Sequence, residues 1–410
     1  MAARQRIHSI LCSKQVKTTL LFVFLAAPFG PTSVVSVSLA LVAFVSLVFW
    51  MMQSSEKTVR VPQELSLYLK YTSILTLAIT VTVLINGMFP YQIGSVVIKP
   101  NLIGALQKYL HLLRPIFITY LCWNYFKTSN EELIKVFIYR IYPVFLMINF
   151  FQIGFGWPHT IQSHMLIPGA PFRSQGFYGS YLTYAAALGF PLYMALEEAI
   201  KRRTVASISI ASLGTLAMIA CSSRTAWVAL GLGIVCLAFT ATPKQYRKLA
   251  GTLITAIVIG VLVSPKVRSR IFSSHINDRA LLWKINFEVF KENPVTGVGF
   301  LSSGEATAAY KSTFIPDHPD QFVSHAHNNF IEMLSTTGLL GTGVWVAWNM
   351  WLLLICWRRR TYGVLAGLIT FHFNGLTQVN FWEPRGLSMF MTVIGFFLFV
   401  QNRTQTTQNS

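Results

Sequence analysis

The chain has 410 residues, of which 53% are hydrophobic, 14% aromatic and only 11% charged. Soluble globular domains carry about 25% charged residues, so that class is excluded. The net charge of +19 (33 Lys+Arg against 14 Asp+Glu) would point to nucleic acid in a soluble protein; here the cations sit in short loops between apolar runs, and no nucleic-acid partner is implied.

In chain order, Arg4, Arg6, Lys14 and Lys17 precede the first apolar run. No small-residue cleavage site follows and the next span begins at once, so a retained first helix is expected rather than a removed leader. Apolar runs of roughly 20 residues suffice to cross a bilayer. They fall at 18–30 and 33–52, hinged at Pro28–Pro31, then at 66–87, 102–126, 133–156, 178–199, 205–221, 225–242, 249–264, 328–357, 362–379 and 386–402. The fold class predicted is all-α, a polytopic integral membrane protein of about twelve transmembrane helices with one large hydrophilic loop. Nine helices occupy 1–264, the loop 265–327, and three more helices with a short tail 328–410.

Alternate loops carry Lys57/Arg60, Lys127/Lys135, Lys201-Arg202-Arg203, Lys244/Arg247/Lys248 and Arg358-Arg359-Arg360. The positive-inside rule puts these loops and both termini in the cytoplasm, and the 265–327 loop outside. The outer side keeps isolated cations, Lys99, Arg173, Arg224 and Arg385. Arg224, in "ACSSRTAWVALGLG", is pinched between two spans, where an ionised side chain needs a partner or a watery cavity. Snorkelling to lipid headgroups is the alternative.

Within the loop, "NDRALLWKINFEVFKENP" reads as an amphipathic helix. Leu282, Ile285, Val289 and Phe290 recur at near-helical spacing, Asp278 is placed to cap the start, and Pro294 follows the end. Arg279 falls in the first turn, the unfavourable end of the helix dipole for a cation, which suggests an anionic partner unless Asp278 suffices. "NPVTGVGF" reads as a turn with two glycines. "SHAHNNFIEML" (324–334) opens the next span; with a helix start near His325, residues His325, Asn328 and Glu332 share one face, with His327 beside them.

The histidine pair admits three readings. The residues could hydrogen-bond a loop at the membrane interface. They could build a zinc shell with Asp317, His318 or Asp320, although no known ligand spacing is matched. Or an imidazole, with the right pKa for proton transfer near neutrality, acts as a base, while arginines, whose forked guanidinium matches phosphate oxygens, hold a diphosphate. The five cysteines (Cys12, Cys122, Cys221, Cys236, Cys356) show no paired spacing and indicate neither disulfides nor a metal cluster.

"SRTAW" after an apolar span, "RALLW…NPVTGVGF" in a large outer loop and "HAHNNFIEMLSTTGLLG" at a helix start resemble the O-antigen ligase and polymerase superfamily, best over about 220–345. The resemblance implies a glycosyltransferase of the bacterial inner membrane, working at its periplasmic face in lipopolysaccharide assembly, with an undecaprenyl diphosphate-linked O-antigen as donor and lipid A–core as acceptor. It implies no nucleotide or other cofactor and no metal. Carried over by motif, Arg224 and Arg279, with Arg173 as a less regular match, bind the diphosphate. His327 serves the acceptor hydroxyl with His325 next to it, and Asn328 and Glu332 support the imidazole. The motif departs in one place: relatives often have Glu where this chain has Thr336 or Thr337. A ligase is favoured because only one large outer loop is evident and no further domain follows the last span; a polymerase is the alternative. A secondary transporter would also fit intramembrane charge, but the halves show no internal repeat.

Overall fold

A computed structural model of the protein describes residues 2–53, 63–113, 116, 130–155, 174–252, 276–314 and 325–399, apart from 31, 94–95, 100, 108, 111, 179, 222, 249–250, 301 and 382. The expected spans 102–126 and 249–264 therefore lie largely outside the described residues, as do Arg173 and the candidate zinc ligands Asp317, His318 and Asp320.

The described chain is built of helices. It opens with α1 (Ala2–Cys12), α2 (Lys14–Ala26), α3 (Thr32–Gln53) and α4 (Gln63–Met88). Next, α5 (Asn130–Val136) runs through a π-helical turn, Phe137–Ile141, into α6 (Tyr142–Phe155). The rest comprises α7 (Tyr181–Arg202), α8 (Val205–Ala220), α9 (Arg224–Thr240), α10 (Ile276–Glu292), α11 (Ser303–Phe314), α12 (Asn329–Arg358), α13 (Tyr362–Asn374) and α14 (Pro384–Phe399). Among the described residues three helices are long and apolar enough to cross a membrane, Ser66–Met88, Glu132–Phe155 and Asn329–Arg358; a pair bent by 61°, Gln5–Cys12 with Lys14–Phe29, passes the same test jointly. Large apolar side chains such as Val37, Phe44, Leu77, Phe239 and Leu354 are exposed along the bundle. Water would penalise such a surface, whereas lipid solvates it.

The expectation of an all-α chain needs one correction. Tyr91–Ile93 (β1) and Val96–Ile98 (β2) pair antiparallel, with Tyr91 opposite Ile98. Ile93 packs in a small core of its own with Ile285 and Val289 of α10, Val298, and Ala306 and Tyr310 of α11. The strands are short and lie between two long apolar runs, so the periodicity that betrays a strand spans only three residues each.

The main bundle is organised around α7, which packs against α8, α9, α13 and α14. Residues Thr183 to Ala195 are buried without a break, the signature of a helix enclosed on all sides. Because α7, α9 and α12 all begin where α13 finishes, with Thr183 and Thr225 beside the turn after α13 and Glu197 beside its start, the bundle has two distinct ends. Lys201–Arg203, Lys244–Lys248 and Arg358–Arg360 gather at one, where Glu197 Oε2 accepts from the Gly363 N–H at 2.6 Å. The histidine pair lies at the other, where α13 finishes, α9 begins and α12 begins.

The expected span 328–357 is interrupted. At Gly338 the backbone adopts φ 60°, ψ −163°, a region open essentially to glycine alone. The break strips carbonyls and amides of their intrahelical partners. The turn 294–299 supplies them: Val298 N–H donates to Ser335 O (2.9 Å) and Gly299 N–H to Thr336 O (2.8 Å), while Leu339 and Leu340 N–H donate to Pro294 O (2.8 Å) and Val295 O (3.1 Å). A Cβ on Gly297 would strike the backbone at Thr336–Thr337, and one on Gly338 the backbone of Val295 and Thr296. The two glycine-bearing stretches interlock, and α10 is locked to the first half of α12.

Candidate active site

The helix start falls four residues later than expected. α12 begins at Asn329 with Asn328 as its N-cap, the Asn328 Oδ1 accepting from Phe330 N–H (2.9 Å) and Ile331 N–H (3.2 Å). His325 and His327 therefore precede the helix and do not share a helical face with Asn328 and Glu332. His327 takes φ +48°, uncommon for a residue with a Cβ, so the surroundings impose this backbone shape. The two imidazole centroids are 4.1 Å apart, tilted by 44°.

Three groups hold this turn in place. Glu332, 1% exposed, accepts from the Ala326 N–H at 2.8 Å with Oε2 and from the Ser303 hydroxyl with Oε1. One carboxylate thus joins the residue between the histidines to the start of α11. Asn328 Nδ2 donates to Leu376 O (3.2 Å). The Asn329 N–H donates to Gly375 O (2.6 Å), and its Oδ1 accepts from Phe381 N–H (3.2 Å).

The partner of the imidazole was not foreseen. His327 Nδ1 lies 2.7 Å from Gln378 Oε1. Gln378 belongs to a turn, because α13 stops at Asn374 instead of running to 379. The signal was present in "NGLTQVN": three carboxamides in seven residues, at the end of an apolar run, mark a polar site as plainly as the histidines do. The adjacent Thr377 hydroxyl donates to Thr225 Oγ1 (2.8 Å), so this turn touches the start of α9 beside Arg224.

Both described arginines occupy first helical turns, Arg224 at the head of α9 and Arg279 in that of α10. Asp278 stands inside this turn, since α10 already includes Ile276, and not before it as a cap. Burial pushes the His325 imidazole down to about 4, with His327 adding to the effect. His327 is also lowered, by burial first, with the Arg279 guanidinium adding and the Gln378 hydrogen bond opposing. Arg279 is therefore within electrostatic reach of His327. Both imidazoles are neutral at neutral pH.

Arg385, an isolated outer cation in the sequence, is accounted for locally. It lies over the Tyr178 ring (5.3 Å), donates to Phe177 O and has Glu383 Oε1 3.5 Å from its Nε.

The arrangement offers a neutral imidazole able to take up a proton, and the two helix starts that bear Arg224 and Arg279 favour negative charge. No curated protein matches the chain. Residues 209–346, the segment that holds Arg224, Arg279 and the histidine pair, match the family model described as O-antigen ligase, and it is to that superfamily that the chain is similar.

Proposed function

We propose that this protein is a glycosyltransferase that joins O-antigen, carried on undecaprenyl diphosphate, to lipid A–core at the periplasmic face of the inner membrane. The observation that carries the reading is the convergence at one end of the bundle. A neutral His327 sits within the field of Arg279, and the turn that holds it touches the start of α9, which bears Arg224. The cation-rich loops gather at the opposite end, and the positive-inside rule supports the reading of that end as cytoplasmic and of the histidine end as periplasmic.

In this reading an acceptor hydroxyl oxygen attacks the anomeric carbon of the first donor sugar. The bond from that carbon to the diphosphate oxygen breaks as the new glycosidic bond forms, and undecaprenyl diphosphate leaves with the bonding pair. His327 Nε2 takes the hydroxyl proton. Arg224 and Arg279, with Arg173, neutralise the charge building on the departing diphosphate, the term that electrostatic preorganisation supplies. Asn328 and Glu332 hold the imidazole's turn. The chemistry draws its driving force from the diphosphate and uses neither ATP nor a metal.

The test is purified full-length protein with carrier-linked glycan and lipid A–core, with and without EDTA, alongside lipopolysaccharide from cells lacking the gene. Glycan-capped core formed in EDTA, and core-only lipopolysaccharide in the deleted strain, are the expected results. Lipopolysaccharide bearing single O-units would make the protein a polymerase, and unchanged glycans would remove it from this assembly line.

A further inference from the structure

We propose that Gln378 is the positioning residue that holds His327 in one neutral tautomer, the proton on Nδ1 and the lone pair on Nε2. The inference rests on the reading of His327 as the base. The geometry that carries it is the 2.7 Å contact between Gln378 Oε1 and His327 Nδ1. A carboxamide oxygen only accepts, so the nitrogen facing it must carry the hydrogen. The other end of the amide is held too: Gln378 Nε2 is 3.4 Å from Thr183 Oγ1 at the start of α7, and Gln378 is buried. The positive-φ backbone of His327 and the Glu332 contact to Ala326 N–H hold the turn that carries the ring. A neutral imidazole has one basic nitrogen, and with Nδ1 engaged only Nε2 remains to take a proton from an acceptor.

The choice of an amide over a carboxylate follows from what surrounds it. The charged and titratable groups near this ring are His325 on its own turn, Arg279 on α10 and Arg224 at the head of α9, past the Thr225–Thr377 contact. The Glu332 carboxylate of α12 is occupied by Ala326 and Ser303. An acid at 378 would compete with an incoming diphosphate for both arginines and would stabilise the imidazolium, as the buried aspartate of a serine-protease triad does. Gln378 orders the ring without adding a negative charge. It gives up some basicity, which a reaction with an already good leaving group tolerates.

The experiment uses the full chain in lipid nanodiscs with ¹⁵N-labelled histidine, the His327 side-chain signals being assigned by their loss in His327→Ala. Wild type should show a protonated Nδ1 and an unprotonated Nε2. Gln378→Ala should mix the tautomers and lower transfer by tenfold or more, within the ~10²–10⁴-fold that a positioned base contributes. Gln378→Glu, nearly isosteric, should fold with an unchanged melting temperature and raise the pH midpoint of His327 protonation by about one unit. The acid limb of the transfer profile should move with it. An Nε2-protonated wild-type ring, or a Gln378→Ala ring with unaltered tautomer, would overturn the assignment. A fully active His327→Ala would instead overturn the base reading, and the tautomer signals would still report on Gln378 independently.

Discussion

At one end of the bundle Lys201 and Arg202 reach back across a helical turn to Glu197 (2.7 Å) and Glu198 (2.6 Å), with the cationic side chains 53% and 40% exposed. At the other end Glu332 is sealed from solvent and spends both oxygens on an amide and a hydroxyl of neighbouring segments. The first kind of charge is open to water and screened by salt; what it contributes is orientation across a membrane. The second kind is costly to bury unless every lone pair is met, and it shapes a site. Counting charges cannot distinguish the two ends, whereas what each charge touches does.

The contrast predicts that substitutions at the two ends differ most in catalysis. His327→Ala should lower transfer by about 10²–10⁴-fold, and Arg279→Lys should recover little of the Arg279→Ala loss because the two-pronged fork is gone. Arg359→Ala, among the cations of the far end, should transfer at the wild-type rate. Equal losses at both ends, measured at matched protein levels, would erase the distinction.

A second effect belongs to the interlock that carries α10 up to the histidines. Gly338→Ala places a Cβ against Val295 and Thr296 in a backbone region that alanine avoids. Gly297→Ala meets Thr336 and Thr337 from the facing side. Each should cost roughly 2–4 kcal/mol, strain and overlap combined, read as a lowered unfolding midpoint of the purified protein. A variant that melts like wild type would mean that the two stretches can separate freely.

That interlock also marks where the sequence stops being legible. Long apolar runs announce helices because lipid leaves few alternatives; Arg224 stands out because charge is rare among such runs, Arg279 because a cation opposes the helix dipole there, and the histidines because they are paired beside two asparagines. The two glycines of "NPVTGVGF" were visible as a turn, but nothing in one sequence says that a turn will donate amides to a helix 40 residues on. The break at Gly338 hides inside one long helical stretch, since the small residues of "STTGLLGTG" are all tolerated within a membrane helix. Gln378 is hidden for a related reason: the apolar run 362–373 extends the span on paper, while Gly375 ends the helix in space. The hairpin at 91–98 is too short for its alternation to register. Long-range pairing sets each of these features, and periodicity carries no record of it.

Acid should separate the two ends more gently. His325 and His327 titrate below the ordinary histidine range in the folded protein, so the unfolded chain binds their protons first as pH falls past about 6.5. Stability is therefore lost progressively below that pH, down to about 4, where the folded His325 also titrates. Melting temperatures of wild type and His325→Gln should differ by a constant amount above pH 7. Below pH 6 wild type should lose ground to the variant by a few degrees, because glutamine does not titrate. Parallel curves across the whole range would mean that the imidazole is not held neutral by its surroundings.

The smallest effect is expected at the far end, where a single carboxylate does two jobs. Lys201 contributes an i,i+4 ion pair to Glu197, and its side chain is more than half exposed. Such pairs are worth about 0.3–0.5 kcal/mol and fade with salt, so Lys201→Ala should barely move the melting temperature at low ionic strength and not at all in molar salt. Glu197 also accepts from Gly363 N–H (2.6 Å) and Tyr362 N–H (3.3 Å). In doing so it caps the first turn of α13, the helix whose other end presents Gln378 to His327. Glu197→Ala should then cost more than its ion pair, about 1–2 kcal/mol on the scale of a lost helix cap, and the loss should persist in high salt. If the two variants behaved alike, the far end would be mere surface charge. If Glu197→Ala alone lowered transfer as well as stability, the placement of α13 would be the means by which the two ends communicate.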